Sequence, residues 1–314
     1  MANMAKSYEN LRVKSPISSN AKSGVVYWSS NKSVWFSAMF VVVVIAGPLT
    51  LTLDALFLFL LFTGFTLCFG HSLGMHRLFI HKSYRCSKWL EYVLVHLGVL
   101  VGLAGPFGML RTHDLRDWAQ RQENCHDYFG HQQGILKDGF WQIHCDIQLD
   151  HPPQVQIEEE YLNDRIYQWM EKYWMWQQLP WAIVFYLIGG WPWIVWGICA
   201  RVTISIAGHW LIGYFAHNKG QRHYHVESAA VQGYNIPYAA FITMGENWHN
   251  NHHAFPSSAK FGIANNEWDP GWWMLKLMEK VGLVSDLKTP SRLPERSDLL
   301  ELAGPLLKDE SDDL

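Results

Sequence analysis

The sequence predicts an all-α integral membrane protein: two helical hairpins giving four transmembrane helices, with nearly everything else on one side of the bilayer. Three observations carry that expectation. Val34–Gly70 and Leu179–Tyr214 are almost wholly apolar, and Asp54 is the only charge in the first. Every Lys and Arg lies outside Val34–Gly70 and outside Leu179–Ala200. Charged residues make up only 17% of the chain while Trp occurs 17 times, and Trp collects where a protein meets the membrane–water boundary.

In chain order, residues 1–33 are mostly polar, without a signal peptide's short apolar core, and read as a cytosolic N-terminal segment. A crossing takes about 20 apolar residues, so Val34–Gly70 suits two helices turning near Gly47-Pro48. The apolar run Trp89–Leu110 is interrupted by His96, Gly102, Gly105 and Pro106. It is expected to be a buried or re-entrant helix, because a crossing there would invert the topology. Leu179–Tyr214 suits the second pair, turning near Gly189-Gly190-Trp191-Pro192. The positive-inside rule then puts both termini and the middle segment in the cytoplasm, at a bacterial inner membrane or the endoplasmic reticulum. Arg201 and His209 stand in the last span, where ionisable groups mark functional sites; snorkelling or a carbonyl partner is the plainer reading of Arg201. Asp269-Pro270 opens a helix as N-cap and first residue, followed by an apolar face of Trp272, Trp273, Leu275, Leu277, Met278 and Val281. Residues 34–287 form the membrane domain, and 288–314 are expected to be a mobile acidic tail.

Composition excludes several chemistries. A formal charge of −3 points to no polyanionic partner such as nucleic acid. Five cysteines without a CxxC or CxxCH motif argue against a disulfide framework, a zinc ribbon, an iron–sulfur cluster and c-type haem. No GxGxxG opens a helix after a strand, so neither NAD nor flavin is expected to bind.

Histidines carry the positive signal. His249, His252 and His253, in Trp248-His249-Asn250-Asn251-His252-His253, share one face of a helix. Clustered imidazoles without thiolates suit a borderline transition metal: iron, copper, nickel or zinc. His71, His76 and His81 recur every five residues, about 140° of α-helical rotation. They are therefore not expected to share a narrow face, and would grip a metal from a helix that bends as it leaves the membrane. One Glu-x-x-His, Glu246 to His249, has no second copy, so a soluble di-iron bundle is disfavoured. Glu246 is expected instead to orient an imidazole.

The runs His76-Arg77-Leu78-Phe79-Ile80-His81-Lys82-Ser83-Tyr84 and Gly245-Glu246-Asn247-Trp248-His249-Asn250-Asn251-His252-His253-Ala254-Phe255-Pro256 resemble the membrane fatty-acid desaturase family, nearest its acyl-CoA Δ9 branch. The resemblance covers about Val34 to Leu287. It implies four membrane helices under a cytosolic helical cap that holds two irons. His209, followed by Gly213-Tyr214, resembles the extra histidine at the end of the family's fourth span. The middle box departs from His-x-x-His-His: the chain has His113-Asp114-Leu115-Arg116-Asp117. Arg116 offers only donors; Asp117 shares the face of His113, and a carboxylate can bind iron. The expected metal set is therefore His76, His81, His113, Asp117, His209, His249, His252 and His253, supported by Arg116, Glu246 and Asn250. With two fewer imidazoles, one iron and two both stay open. His126 and His131 follow closely and could compensate for the missing imidazoles, but the resemblance makes neither a ligand; His144 falls where the family carries a structural histidine. His223 and His225 would share a face if extended, lining the cap or the wet surface.

The resemblance implies an oxygen-dependent desaturase acting on a long acyl chain carried by CoA, acyl carrier protein or a lipid. Electrons would come from a separate ferredoxin, rubredoxin or cytochrome b5-type protein. The altered middle box keeps two alternatives in view: a lipid hydroxylase or other C–H oxidase, and a non-catalytic degenerate member.

Overall fold

The computed structural model describes residues 10–307. Helix α1 (Ser30–Ala46) buries no residue and exposes Val34, Phe40, Val41, Val44 and Ile45, an apolar surface that water would not tolerate over such an extent. Helix α2 (Leu53–Phe65) starts where the Thr52 side chain accepts from Ala55 N, with Asp54 in its first turn, both favourable at a helix N-terminus. It runs without a break into a π-helical segment, Thr66–Ile80. Helix α3 (Lys88–Leu100) lies against that segment; a Cβ at Gly74 or Gly70 would come within 2.3 Å of the Leu94 or Leu97 backbone. Gly102, at φ 91°, turns the chain away. Helix α4 (Pro106–Gln120) follows, and Glu171 Oε2 accepts from its first amides, Phe107 N at 2.9 Å and Gly108 N at 3.2 Å. The interrupted run Trp89–Leu110 is thus a buried helix, a turn and the start of another helix.

Short helices α5 (Asp127–Gly130), α6 (Ile135–His144), α7 (Glu159–Leu162) and α8 (Arg165–Lys172) complete the middle segment. Helix α9 (Gln178–Ile194) breaks at Gly190, whose φ of 66° and ψ of −153° suit glycine alone. The chain doubles back there, bringing Phe185 to 6.2 Å from Trp193 between ring centres, and continues through a π-helical stretch, Val195–Ala200, into α10 (Arg201–Asn218). Leu53–Ile80 and Met175–Asn218 are long and apolar enough to cross a membrane; α1 is a shorter apolar helix. Arg201 is fully buried and bonds Gly197 O and Gln178 Oε1, the carbonyl-bound alternative to a functional role. Helices α11 (Ala240–Thr243), α12 (His249–Ala254) and α13 (Pro270–Lys280) follow. Asp269 Oδ1 accepts from Trp272 N at 2.9 Å, capping α13.

An all-helical description needs correcting, because among the described residues eight strands pair as four two-stranded antiparallel ribbons. They are β1 (Val13–Lys14) with β5 (Gln154–Val155), β2 (Asn20–Trp28) with β4 (Cys145–His151), β3 (Arg85–Cys86) with β7 (Val284–Ser285), and β6 (Gln221–Val226) with β8 (Leu299–Leu307). Val25-Val26-Tyr27-Trp28 is β-branched and aromatic, the composition that suits a strand. The last ribbon uses part of the segment expected to be a mobile tail; 308–314 lie outside the described residues. Arg296, just ahead of β8, donates to His253 O at 2.9 Å and Ala254 O at 2.7 Å, filling orphan carbonyls of α12. At the other end, Arg12 Nη1 donates to Ile80 O at 2.6 Å. The core lies between these parts: Leu73, Leu78, Leu94 and Leu275 pack together, as do Met75, Phe79, Val99 and Tyr167. Burying Phe79, fully enclosed, contributes about 2–3 kcal/mol.

Candidate metal centre

The segment that carries the first histidines is wound with i→i+5 hydrogen bonds, as His81 N to His76 O shows at 3.0 Å. A π-helical turn takes more residues than an α-helical one. Histidines five apart therefore come onto one face, where α-helical geometry would have separated them. His71 stacks 6.4 Å from His76, and His76 lies 4.8 Å from His81, between ring centres. No bend is needed to bring these rings together.

Four imidazoles converge from three parts of the chain: His76 and His81, His113 of α4, and His252 of α12 have ligand atoms within 4.8 Å of one another. His217, at the end of α10, joins His249 and His253 of α12 in a second cluster of the same compactness. The shortest approaches are between Nε2 atoms: 3.2 Å for His81–His113, 3.1 Å for His217–His249 and 3.0 Å for His249–His253. Donors about 2.0–2.1 Å from a shared ion in tetrahedral array sit about 3.3 Å apart, so these spacings fit a metal. The chemistry of the donors fits as well: imidazoles without thiolates, and one ring nitrogen, His252 Nδ1, buried without a hydrogen-bond partner.

Neighbouring groups fix the rings. His76 Nδ1 donates to Glu246 Oε2 at 2.5 Å, and Ser72 Oγ donates to Oε1 of the same carboxylate at 2.6 Å. His113 Nδ1 donates to Asp114 Oδ1 at 3.2 Å, and His217 Nδ1 to Gly213 O at 2.7 Å. Each bond turns Nε2 toward the cluster, where His217 Nε2 also accepts from Gln120 Nε2 at 3.1 Å. Burial pushes His81, His252 and His253 well below the ordinary imidazole range and His249 down to about 3, with adjacent imidazoles adding to the effect. They are neutral near pH 7, the form that ligates metals. Burial alone would raise the Glu246 carboxyl, but the His76 ring that hydrogen-bonds it and the nearby Arg77 guanidinium bring it to about 2. Next in sequence to His76, buried Arg77 donates to Asp269 Oδ1 at 2.9 Å and lies 4.1 Å from the Phe261 ring centre.

Other expected site residues fall elsewhere. His209 is in neither cluster; its ring rests 5.0 Å from that of His71. His217, eight residues further along α10, takes the place expected of it, since the helix must run two more turns to reach the level of α12. His217 was legible only as the last histidine before the polar boundary at Asn218-Lys219. Asp117 also lies outside both clusters: Oδ1 accepts from Arg121 Nε at 3.0 Å, while Oδ2 is buried without a hydrogen-bond partner. Arg116 hydrogen-bonds no carboxylate; it donates to Phe129 O, Gln142 Oε1 and His131 Nε2. Asn250 ties α12 to β6, bonding the Tyr224 backbone and His223 N. His223 and His225 stand on extended β6 away from both clusters, and His126 caps α5 by accepting from Tyr128 N at 3.1 Å.

No family model matches the chain. Among characterised proteins it is similar to the sn-1 stearoyl-lipid 9-desaturase of Anabaena variabilis, 32% identical over 70% of this chain and 78% of that protein. It is 30% identical to the sn-2 palmitoyl-lipid 9-desaturase of a Nostoc strain, over 68% of this chain and 75% of that protein. The acyl-CoA C20 Delta5-desaturase of Anemone leveillei is 30% identical over 73% of this chain and 72% of its own length. With this likeness spanning most of each chain, the protein belongs to the fatty-acid desaturase family and is an oxidoreductase.

Proposed function

We propose that the protein is a multi-pass membrane enzyme that introduces a double bond into a long acyl chain, using O₂ and a histidine-bound di-iron centre. The observation that carries this reading is the pair of buried imidazole clusters at the ends of apolar helices. His76, His81, His113 and His252 hold one iron; His217, His249 and His253 hold the other. Asp117, whose free Oδ2 is buried one turn after His113, is the candidate carboxylate donor beside the first. When bound, iron supplies the activation of O₂ that lets an unreactive methylene lose hydrogen, which side chains alone do not achieve. The chain's residues hold and orient: Glu246, Asp114 and the Gly213 carbonyl set three ring tautomers, and the Arg77–Asp269 pair locks the helix carrying His76 to α13.

The relatives named for acyl-lipid and acyl-CoA substrates support a long acyl substrate. Two electrons per turnover come from a ferredoxin, rubredoxin or cytochrome b5-type partner. In this reading α1, α2 and the two arms flanking Gly190 are four crossings with both termini in the cytoplasm, supported by the two long apolar helices Leu53–Ile80 and Met175–Asn218. Iron analysis of purified protein, paired with mass spectrometry of lipids from expressing cells, tests the reading. Two irons with new unsaturation are expected. Oxygenated lipid without alkene would replace desaturation with hydroxylation, and unchanged lipid with iron-free protein would remove catalysis altogether.

A further inference from the structure

The two clusters are unequal. One brings four imidazoles together and the other three, and the neighbourhood of the second contains another histidine held in an unusual way. His131 ends α5 in the left-handed region, φ 54°, where a residue with a Cβ is uncommon. Its carbonyl accepts from Asn218 Nδ2 at 2.8 Å, fastening it to the turn of α10 that carries His217. Its ring lies nearly parallel to that of His217, 15° between planes and 5.3 Å between centres.

The ring is also oriented. Nδ1 donates to Asp138 Oδ2 at 2.9 Å, and that oxygen accepts from Trp210 Nε1 at 2.8 Å as well. Asp138 is fully buried. An imidazole that gives one N–H to a fixed carboxylate presents its other nitrogen as a lone pair, the arrangement shown by metal-bound histidines. Here that nitrogen is Nε2, which accepts from Arg116 Nη1 at 2.7 Å. The absence of a side chain at residue 213 makes room for it: a Cβ on Gly213 would sit 3.3 Å from His131 Nε2. Arg116 keeps Phe129 O and Gln142 Oε1 as partners if it releases the ring.

We propose that His131 is the fourth imidazole donor of the second cluster, its Nε2 exchanging the Arg116 guanidinium for the metal as the ring pivots on Asp138. The assignment rests on the metal centre proposed above and replaces an imidazole that the altered middle box does not supply. It also makes the second metal the weaker of the two, because Arg116 competes for the same lone pair and keeps its positive charge close by.

Cobalt(II) titration of the full-length, metal-stripped protein in detergent, followed by visible absorption, separates the alternatives. The wild type takes up two equivalents, the second more weakly. His131→Ala takes up one, with the absorption of the first cluster intact. Asp138→Asn, which keeps the ring and the shape, binds the second equivalent about 10–100-fold more weakly; it decides the matter should His131→Ala not fold. Two equivalents at wild-type affinity in His131→Ala, or an unchanged second equivalent in Asp138→Asn, overturn the role of His131 while leaving the metal centre standing. A wild-type protein that binds no cobalt overturns both.

Discussion

Asp269 ties three backbone amides, from two segments of the cap, to the helix that delivers His76, and replacing it by Asn measures how much the centre depends on that tie. Oδ1 accepts from Arg77 Nη2 and Trp272 N, both at 2.9 Å; Oδ2 accepts from Phe261 N at 2.8 Å and Gly262 N at 3.2 Å. An asparagine keeps the volume but removes the charge, and its amide nitrogen must face donors whichever way it points. Arg77 has no exposed surface, and its Nε and Nη1 already lack hydrogen-bond partners. Breaking a buried ion pair from one side costs about 3–5 kcal/mol, because the remaining charge stays buried. At roughly 2 °C per kcal/mol in a chain of this size, thermal unfolding in detergent should drop by about 6–10 °C. Iron retention should fall with it, since Gly271 N, two residues on, bonds Met244 O beside Gly245 and Glu246 at 3.2 Å. A shift below about 1 kcal/mol, the scale of an exposed pair, would refute the claim that this contact braces the site.

Four further outcomes are expected. His217→Ala should lose one equivalent of metal, whereas His209→Ala should keep both; the reverse pattern, read by metal analysis, would return His209 to the centre. Glu246→Gln leaves His76 Nδ1 facing a weaker acceptor and should lower metal affinity about 10–100-fold, measured by competition with a chelator. Asp117→Ala should reduce iron content if Oδ2 serves the first cluster, and full retention in the purified variant would remove it from the donor set. For Glu158, burial alone would raise the carboxyl, but hydrogen bonds from Arg12 and Lys82 outweigh it and hold it below its ordinary 4.5. Its contribution, about 1 kcal/mol or less at this partly exposed site, is present above that pH and lost as pH falls through the lowered value. The protection factor of the Gln156 amide, which donates to Arg12 O at 2.8 Å, should fall on acidification in the wild type and lose that dependence in Glu158→Gln.

Much of the fold and part of the site could be read from residue order. Apolar runs located the helices, and Gly189-Gly190-Trp191-Pro192 marked the reversal because backbone at Gly190 needs a conformation that L side chains resist. The trio at 249, 252 and 253 and the pair at 76 and 81 were visible through spacing and motif. Their mutual alignment was not, since π-helical winding changes which intervals share a face and leaves no simple mark in composition. His217 escaped notice for a related reason: which helical turn reaches α12 depends on how far α10 extends, a tertiary quantity. Glu246 was expected to orient an imidazole and lies on His76, since a carboxylate three residues from a histidine in a dense box has few other uses. The ribbons were hidden because each strand finds its partner far along the chain, as Asn20–Trp28 does with Cys145–His151.

The clasp of Arg296 on the carbonyls of His253 and Ala254 has a consequence for biosynthesis. This guanidinium is synthesised 220 residues after His76 (296 − 76) and after the whole of α12, so the clasp can close only on a helix already made. The last carbonyls of α12 are accordingly capped by a residue added 42 positions beyond Ala254 (296 − 254), so this helix end closes later than the rest of its own turn.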